Sequence, residues 1–378
     1  MTSTTPLRGT VVVEIGHSVA APYAGLVFAQ LGAEVIKVEH PGGGDHARAW
    51  GTSPDGNGSA LFHALNRDKL GITVDLRDAE ARERLMQLIV SRADVVIQNL
   101  RPDSIAALGL EPEGLLRLKP ALIYCNISAF GRIGPLAGKP GYDPLMQAYA
   151  GLMSVTGEDG RPPVRVGVSI IDIGTGMWAV IGALASLLER VRSNRGGVVD
   201  TSLFEAALAW MNAHIAEFSV SGVESGRHGS GAPQIVPYEM FRTSDGELMI
   251  AAGNDALFGK LCHVVGHSEW TDDDRFRTNP ARVQHRRLLS SLLQERLMSD
   301  SVASWRARLD AAGIPNAPLR STAAVMADSQ TAALDMLQYV PRTSVASAGL
   351  PLKFDGERPR VRLPAPRLGE HTIQVLET

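Results

Sequence analysis

An α/β fold, with a Rossmann-like large domain and a smaller α+β domain, is predicted by three features of the chain. Short β-branched runs alternate with helical stretches through the first half, a Gly-, Ser- and Pro-rich segment interrupts that pattern after residue 220, and a hairpin signature follows it. A length of 378 residues exceeds what one hydrophobic core usually covers, which also favours two domains.

The elements follow in order. "VVVEI" (11–15) is a strand, "APYAGLVFAQLG" (21–32) a helical stretch closed by Gly32, and "EVIKVE" (34–39) a second strand, together a βαβ unit. The alternation continues through "GITVDL" (71–76), the amphipathic "DAEARERLMQLIVSRA" (78–93), "DVVIQN" (94–99) and "ALIYCNIS" (121–128), the pattern of a parallel sheet with covering helices. Met177, Val180, Ile181, Leu184, Leu187 and Leu188 recur at the spacing of one helical face. "GGVVDTSLF" (196–204) and the helical "EAALAWMNAHIAEFSV" (205–220) complete the large domain, 1–220. "SGVESGRHGSGAP" (221–233) marks the boundary, and "YEMFRTSDGELMIAAG" (238–253) reads as a hairpin turning at Asp245-Gly246, opening a small domain over 221–315. Residues 316–378, rich in Pro and Gly toward their end, read as an extended return to the large domain.

Composition excludes several function classes. With 44% hydrophobic and 20% charged residues, a net charge of −3 and no long like-charge run, the chain proposes neither nucleic acid nor an acidic membrane as partner. Cys125 and Cys262 lie far apart without a CxxC pair or a histidine ladder, so neither a disulfide framework nor a zinc site is indicated, and both read as buried thiols. The start "MTSTTPLRG" has no apolar signal core, and no run of about 18 uncharged apolar residues occurs, which makes the cytoplasm the expected compartment.

The first βα turn, "EIGHSVAAP", lacks the G-x-G-x-x-G that lets backbone approach a pyrophosphate, which argues against a nicotinamide dinucleotide. "GHSVA" approaches the G-x-S-x-G nucleophile elbow, but Ala20 replaces the second glycine and no acid and histidine partners are assignable, so Ser18 reads as a turn or cap residue. The stretch "VSIIDIGTGMWAVIGALASLLER" (168–190) sets one carboxylate, Asp172, just before a helix start. Two readings stand there. Asp172 is an N-cap, or Gly174 and Gly176 leave it open to a ligand while the helix dipole keeps it ionised and nucleophilic.

Ordered along the chain, "GAEVIKVEHPGGGD" (32–45), "NRDKLGITVDL" (66–76), "ADVVIQNLRPDSIAALGL" (93–110), "GYDPLMQAYAGLMSVTG" (141–157), "DIGTGMWAVIGALASLLER" (172–190), "GVVDTSLFEAAL" (197–208) and "APRLGEHTIQVLE" (365–377) together resemble the family III CoA transferases of CaiB/BaiF type, which include formyl-CoA transferase. The resemblance implies that Asp172 is the catalytic nucleophile, that coenzyme A is a co-substrate and no other cofactor or metal is needed, and that two chains form an interlaced homodimer. It places CoA-binding positions on His17, Ser18, Val19, Ala20, His40, Asn99 and Leu100, and pocket positions on Trp50, Tyr142 and Asp143. Arg101 and Lys139 are phosphate partners by charge. A mobile glycine loop of the family falls on Gly229 and Gly231 in "GSGAP" (229–233), which shares with Gly174 the role of candidate oxyanion donor.

Two departures matter. Relatives carry Arg or Lys where this chain has Ala107, so a phosphate contact is lost or supplied elsewhere. The sister branch of α-methylacyl-CoA racemases reads "GHD" where this chain reads "GYD" (141–143). With ordinary pKa values of about 10 for Tyr and about 6.5 for His, Tyr142 is a far weaker base at neutral pH. The alternatives carried beside CoA transfer are therefore a racemase and a non-catalytic acyl-CoA binding protein. Arg165, Arg227 and His228 are candidates to hold a second carboxylate, which points to a dicarboxylic acid substrate.

Overall fold

A computed structural model describes residues 4–377. The chain divides into two compact units: Met1–Ala150, Val166–Asn212 and Ala327–Thr378 form the first, Gly151–Arg165 and Ala213–Met326 the second.

In chain order the first unit carries β1 (Val11–Ile15), α1 (Ala20–Gln30), β2 (Glu34–Glu39), α2 (Ala60–Asn66), β3 (Leu70–Thr73), α3 (Ala79–Arg92), β4 (Val95–Gln98), α4 (Pro102–Ala107), α5 (Pro112–Leu118), β5 (Ile123–Ser128) and α6 (Asp143–Tyr149). After α7 (Leu152–Val155), in the second unit, it resumes with α8 (Ile170–Ser193), β6 (Gly197–Ser202) and α9 (Leu203–Trp210). The six strands form one sheet in the order β3-β2-β1-β4-β5-β6, every neighbouring pair parallel. That is the doubly wound order, in which ligands bind beyond the carboxyl ends of the strands where the order reverses, here between β1 and β4. Strands buried on both faces need apolar residues throughout, and Val12, Val13, Ile15, Ile36, Val95 and Val96 supply them. One face packs against Leu85, Ile89 and Leu115 of α3 and α5, joined by Val375 of the closing helix Thr372–Leu376.

The other face takes α1 and α8, which approach so closely that a Cβ at Gly176 would stand 2.6 Å from the Ala20 carbonyl oxygen. Helix α8 is long and apolar enough to cross a bilayer by length and composition. In this fold it buries Ile171, Ala179, Val180 and Ala183 and leaves Met177, Trp178, Ile181, Leu188 and Val191 exposed. The return segment is stitched to the edge of β3: Asp68 accepts from the Arg362 and Leu363 amides at 2.7 Å each, and the Gly71 amide donates to His371 Nδ1.

The second unit continues with α10 (Asn212–Ser221), the antiparallel pair β7 (Tyr238–Arg242) and β8 (Glu247–Ala251), and helices over 255–311 around a core of Phe241, Leu248, Phe258, Leu293 and Trp305. The Thr243 amide closes the expected hairpin turn on the Gly246 carbonyl. A third strand, Asn316–Pro318, pairs with β8. The structure thus draws the units with other limits than 221 and 315: the smaller one takes in Gly151–Arg165, restarts at Ala213 and runs to Met326, because the strand at 316–318 completes its sheet. The single helix expected over 205–220 is two, broken after Trp210. Both cysteines are buried thiols.

Candidate active site

A cavity of about 540 Å³ opens at the carboxyl ends of the first unit's strands. Most of the residues singled out from the sequence line it: His17, Ser18, Val19 and Ala20 of the first βα turn, Trp50, Asn99, Leu100 and Arg101 after β4, Lys139, Tyr142, Asp143 and Asp172.

Asp172 is not a cap. Helix α8 begins at Ile170 with Ser169 at the N-cap, so Asp172 lies within the first turn, half-buried. The capping is done from outside by Asp143, at the start of α6, whose Oδ2 accepts from the amides of Ile171 (2.7 Å) and Asp172 (3.2 Å). Gln147, one turn along α6, donates to Asp143 Oδ1 at 2.6 Å and fixes the buried carboxylate's orientation. Burial and the charge of Asp143 push the Asp172 carboxyl up to about 7. Desolvation and a like charge thus act against the ionised state expected from the helix terminus, and leave Asp172 only partly ionised at neutral pH. Such a shifted carboxyl in a cavity is a candidate functional group.

The two glycines after Asp172 serve packing. A Cβ at Gly174 would lie 2.9 Å from Trp210 Nε1, and Gly176 admits α1. From Ile173 onward the amides enter the helical ladder, Ile173 donating to the Ser169 carbonyl, so Gly174 is withdrawn as an oxyanion donor.

The first turn is clamped on both sides. The His17 amide donates to Asn99 Oδ1 (3.0 Å) and Asn99 Nδ2 returns a bond to the His17 carbonyl (2.9 Å), so the Asn99 side chain is committed to holding the turn. A Cβ at Gly16 would strike Ala21 and Asn99, which requires glycine there. Burial holds His17 below its ordinary pKa, partly opposed by the charge of Asp45. Trp50 and Tyr142 are largely exposed. Arg101 and Lys139 border the cavity, exposed and without an ion pair among the described residues.

His40 borders a neighbouring cavity of about 940 Å³, which shares His17, His46, Leu100, Arg101 and Ser104 with the first. Ala107 borders it too, and Arg77 and Arg82, both missed from the sequence, bring positive charge to the same space. Gly229 and Gly231 belong to the second unit. Their segment is pinned: Gly229 donates to the Gly157 carbonyl (2.8 Å), Ser230 Oγ accepts from the Met240 amide, and Arg286 donates to the carbonyls of Ala232 and Pro233.

The model of CoA-transferase family III matches residues 7–372. The chain belongs to that family. A succinate–glutarate CoA-transferase of Agrobacterium fabrum is 37% identical, over 98% of this chain and 95% of its own length. An acetyl-CoA:oxalate CoA-transferase of Acetobacter aceti is 35% identical, over 98% and 96%. Among solved structures, a CAIB/BAIF family protein from Brucella suis superimposes with a TM-score of 0.88 at 38% identity, covering 99% of both chains. The present chain is thus a family III CoA transferase, and the parallel sheet with its smaller antiparallel companion is that family's fold.

Proposed function

We propose that this transferase exchanges coenzyme A between two carboxylic acids through covalent intermediates on Asp172. The ionised carboxylate attacks the donor thioester, giving an aspartyl–acyl anhydride and the CoA thiolate. The thiolate attacks the aspartyl carbonyl, releasing the free acid and leaving an aspartyl-CoA thioester. The acceptor carboxylate repeats the exchange: it attacks the thioester to form a new anhydride, and the expelled thiolate takes the acyl group and frees Asp172. The observation that carries this reading is one carboxylate, half-buried in the first turn of α8, facing a cavity bordered by the first βα turn. The chemistry uses no metal or redox group.

The second cavity receives the nucleotide end of CoA, with Arg77, Arg82 and Arg101 supplying the positive charge absent at Ala107. The relatives named for succinate, glutarate and oxalate support dicarboxylic acids as the substrate class. The exposed apolar stripe of α8 supports a homodimer, the interlaced one that the family resemblance implies. Incubation with an acyl-CoA donor and no acceptor should leave a fraction of the protein heavier by CoA less water in intact mass, and a screen of donors against dicarboxylic acids should yield new CoA thioesters. Asp172→Ala should abolish both with the fold retained. Substantial turnover by that variant would sink the assignment.

A further inference from the structure

Ser18, in the first βα turn, sits at φ 71°, in the left-handed region that a side chain disfavours. Something must hold it there. Its amide donates to Asp45 Oδ1 at 2.9 Å, and the same oxygen accepts from the Ala47 amide at 2.9 Å. Asp45 Oδ2 lies 3.0 Å from Lys37 Nζ, which also donates to Glu14 Oε1 and to the Gly16 carbonyl, each at 2.9 Å. Glu14 Oε2 accepts from Lys69 Nζ at 2.7 Å, and Lys69 closes the chain on the Pro22 carbonyl and Asn66 Oδ1. The side chains of Glu14, Lys37, Asp45 and Lys69 are all 0% exposed.

A buried charge is tolerated only where it is matched and hydrogen-bonded, so two cations and two carboxylates in contact admit few other arrangements. The fold reserves room for them: a Cβ at Gly25 of α1 would stand 1.9 Å from Glu14 Oε2. Glu14, Lys37 and Lys69 border neither cavity, and Asp45, which borders the second, presents no side-chain surface to a ligand. The cluster reaches the first turn at two points, the bond from Lys37 to the Gly16 carbonyl and the bond from the Ser18 amide to Asp45, and only the second holds Ser18 itself. Beyond Ser18 the amides of Val19, Ala20 and Ala21 open α1 with no acceptor among the described residues.

We propose that Asp45 is a positioning residue for CoA transfer: held by Lys37 and, through it, by Glu14 and Lys69, its carboxylate keeps Ser18 left-handed so that the amides opening α1 face the bound acyl-CoA. The inference rests on the reading of this turn as a CoA-binding element.

The test is calorimetric titration of the full-length protein with coenzyme A, beside steady-state kinetics. Asp45→Ala should weaken CoA binding about tenfold and raise KM for the acyl-CoA by a similar factor while kcat stays within threefold. Glycine adopts φ near 71° without restraint, so in a Ser18→Gly background Asp45→Ala should weaken CoA binding far less than tenfold relative to Ser18→Gly alone. If Asp45→Ala does not fold, Lys37→Met added to it removes the charge left unmatched, and the same comparison is made there. Wild-type affinity in the alanine variant, or an equal loss in the Ser18→Gly background, would overturn the role of Asp45. Failure of the wild type to bind coenzyme A would instead overturn the placement of the CoA site, and the inference with it.

Discussion

Because burial and the neighbouring Asp143 carboxylate push the Asp172 carboxyl up to about 7, the proposed nucleophile is only partly ionised at neutral pH. Attack requires the ionised form, so kcat/KM for the acyl-CoA should rise with pH to a plateau with a midpoint near 7 in the free enzyme. Asp143→Asn keeps one acceptor oxygen for the Ile171 and Asp172 amides, gives up the bond from Gln147 and removes a like charge, so a pH–rate profile should show its midpoint shifted to lower pH. The same raised pKa has a stability sign. A carboxyl that binds its proton more tightly folded than unfolded stabilises the fold below about pH 4, and this contribution is lost as pH rises through about 7. Asp172→Asn should therefore resist urea better than wild type at pH 8, with the advantage gone near pH 4. Tyr142 separates transfer from racemisation: in D₂O with a 2-methylacyl-CoA and no acceptor, no α-deuterium should enter above background by mass spectrometry. Asp172-dependent uptake at catalytic rates would contradict the transferase mechanism. Asp172 could be found from its motif, but the partner that caps its helix, 28 residues upstream of Ile171, leaves no mark in local spacing.

Helix α8 shows how an element's sequence answers to its neighbours. Alanine favours a helix interior over glycine by about 1 kcal/mol, yet α8 carries Gly176 where it crosses α1. The added Cβ would meet a backbone oxygen at 2.6 Å, which cannot swing aside as a flexible side chain can. Overpacking of this kind costs about 1–3 kcal/mol, so the clash wins and Gly176→Ala should destabilise the protein in urea unfolding despite the propensity gain. Gly253→Ala, with nothing within 4 Å of its Cβ, should change the urea midpoint far less. The long strands and helices were legible because periodicity over many residues reports burial directly. Less visible were α2, α4 and α6, each six or seven residues long, and the break after Trp210, where the apolar pattern runs on without a Gly or Pro.

At the scale of the whole molecule, α8 leaves Ile181 50%, Leu188 63% and Val191 80% exposed in the single chain. A homodimer that covers this stripe should appear in light scattering at micromolar concentration, and Ile181→Glu should shift the mass toward monomer while Gly253→Ala leaves it unchanged. By itself the sequence determined the Rossmann-like parallel sheet with its covering helices, the hairpin of the second unit, the buried state of both cysteines, the family, and the candidate nucleophile, because each is written in local periodicity or in an ordered run of motifs. Only the tertiary structure decided what lies far apart in the chain and close in space: the cap supplied by Asp143, the proton affinity of Asp172, the clamp of Asn99 on the first turn, and the buried Glu14–Lys37–Asp45–Lys69 cluster. A residue's type sets which bonds it can make, but desolvation and the charges around it, which set its pKa and its role, exist only once the chain has closed around it.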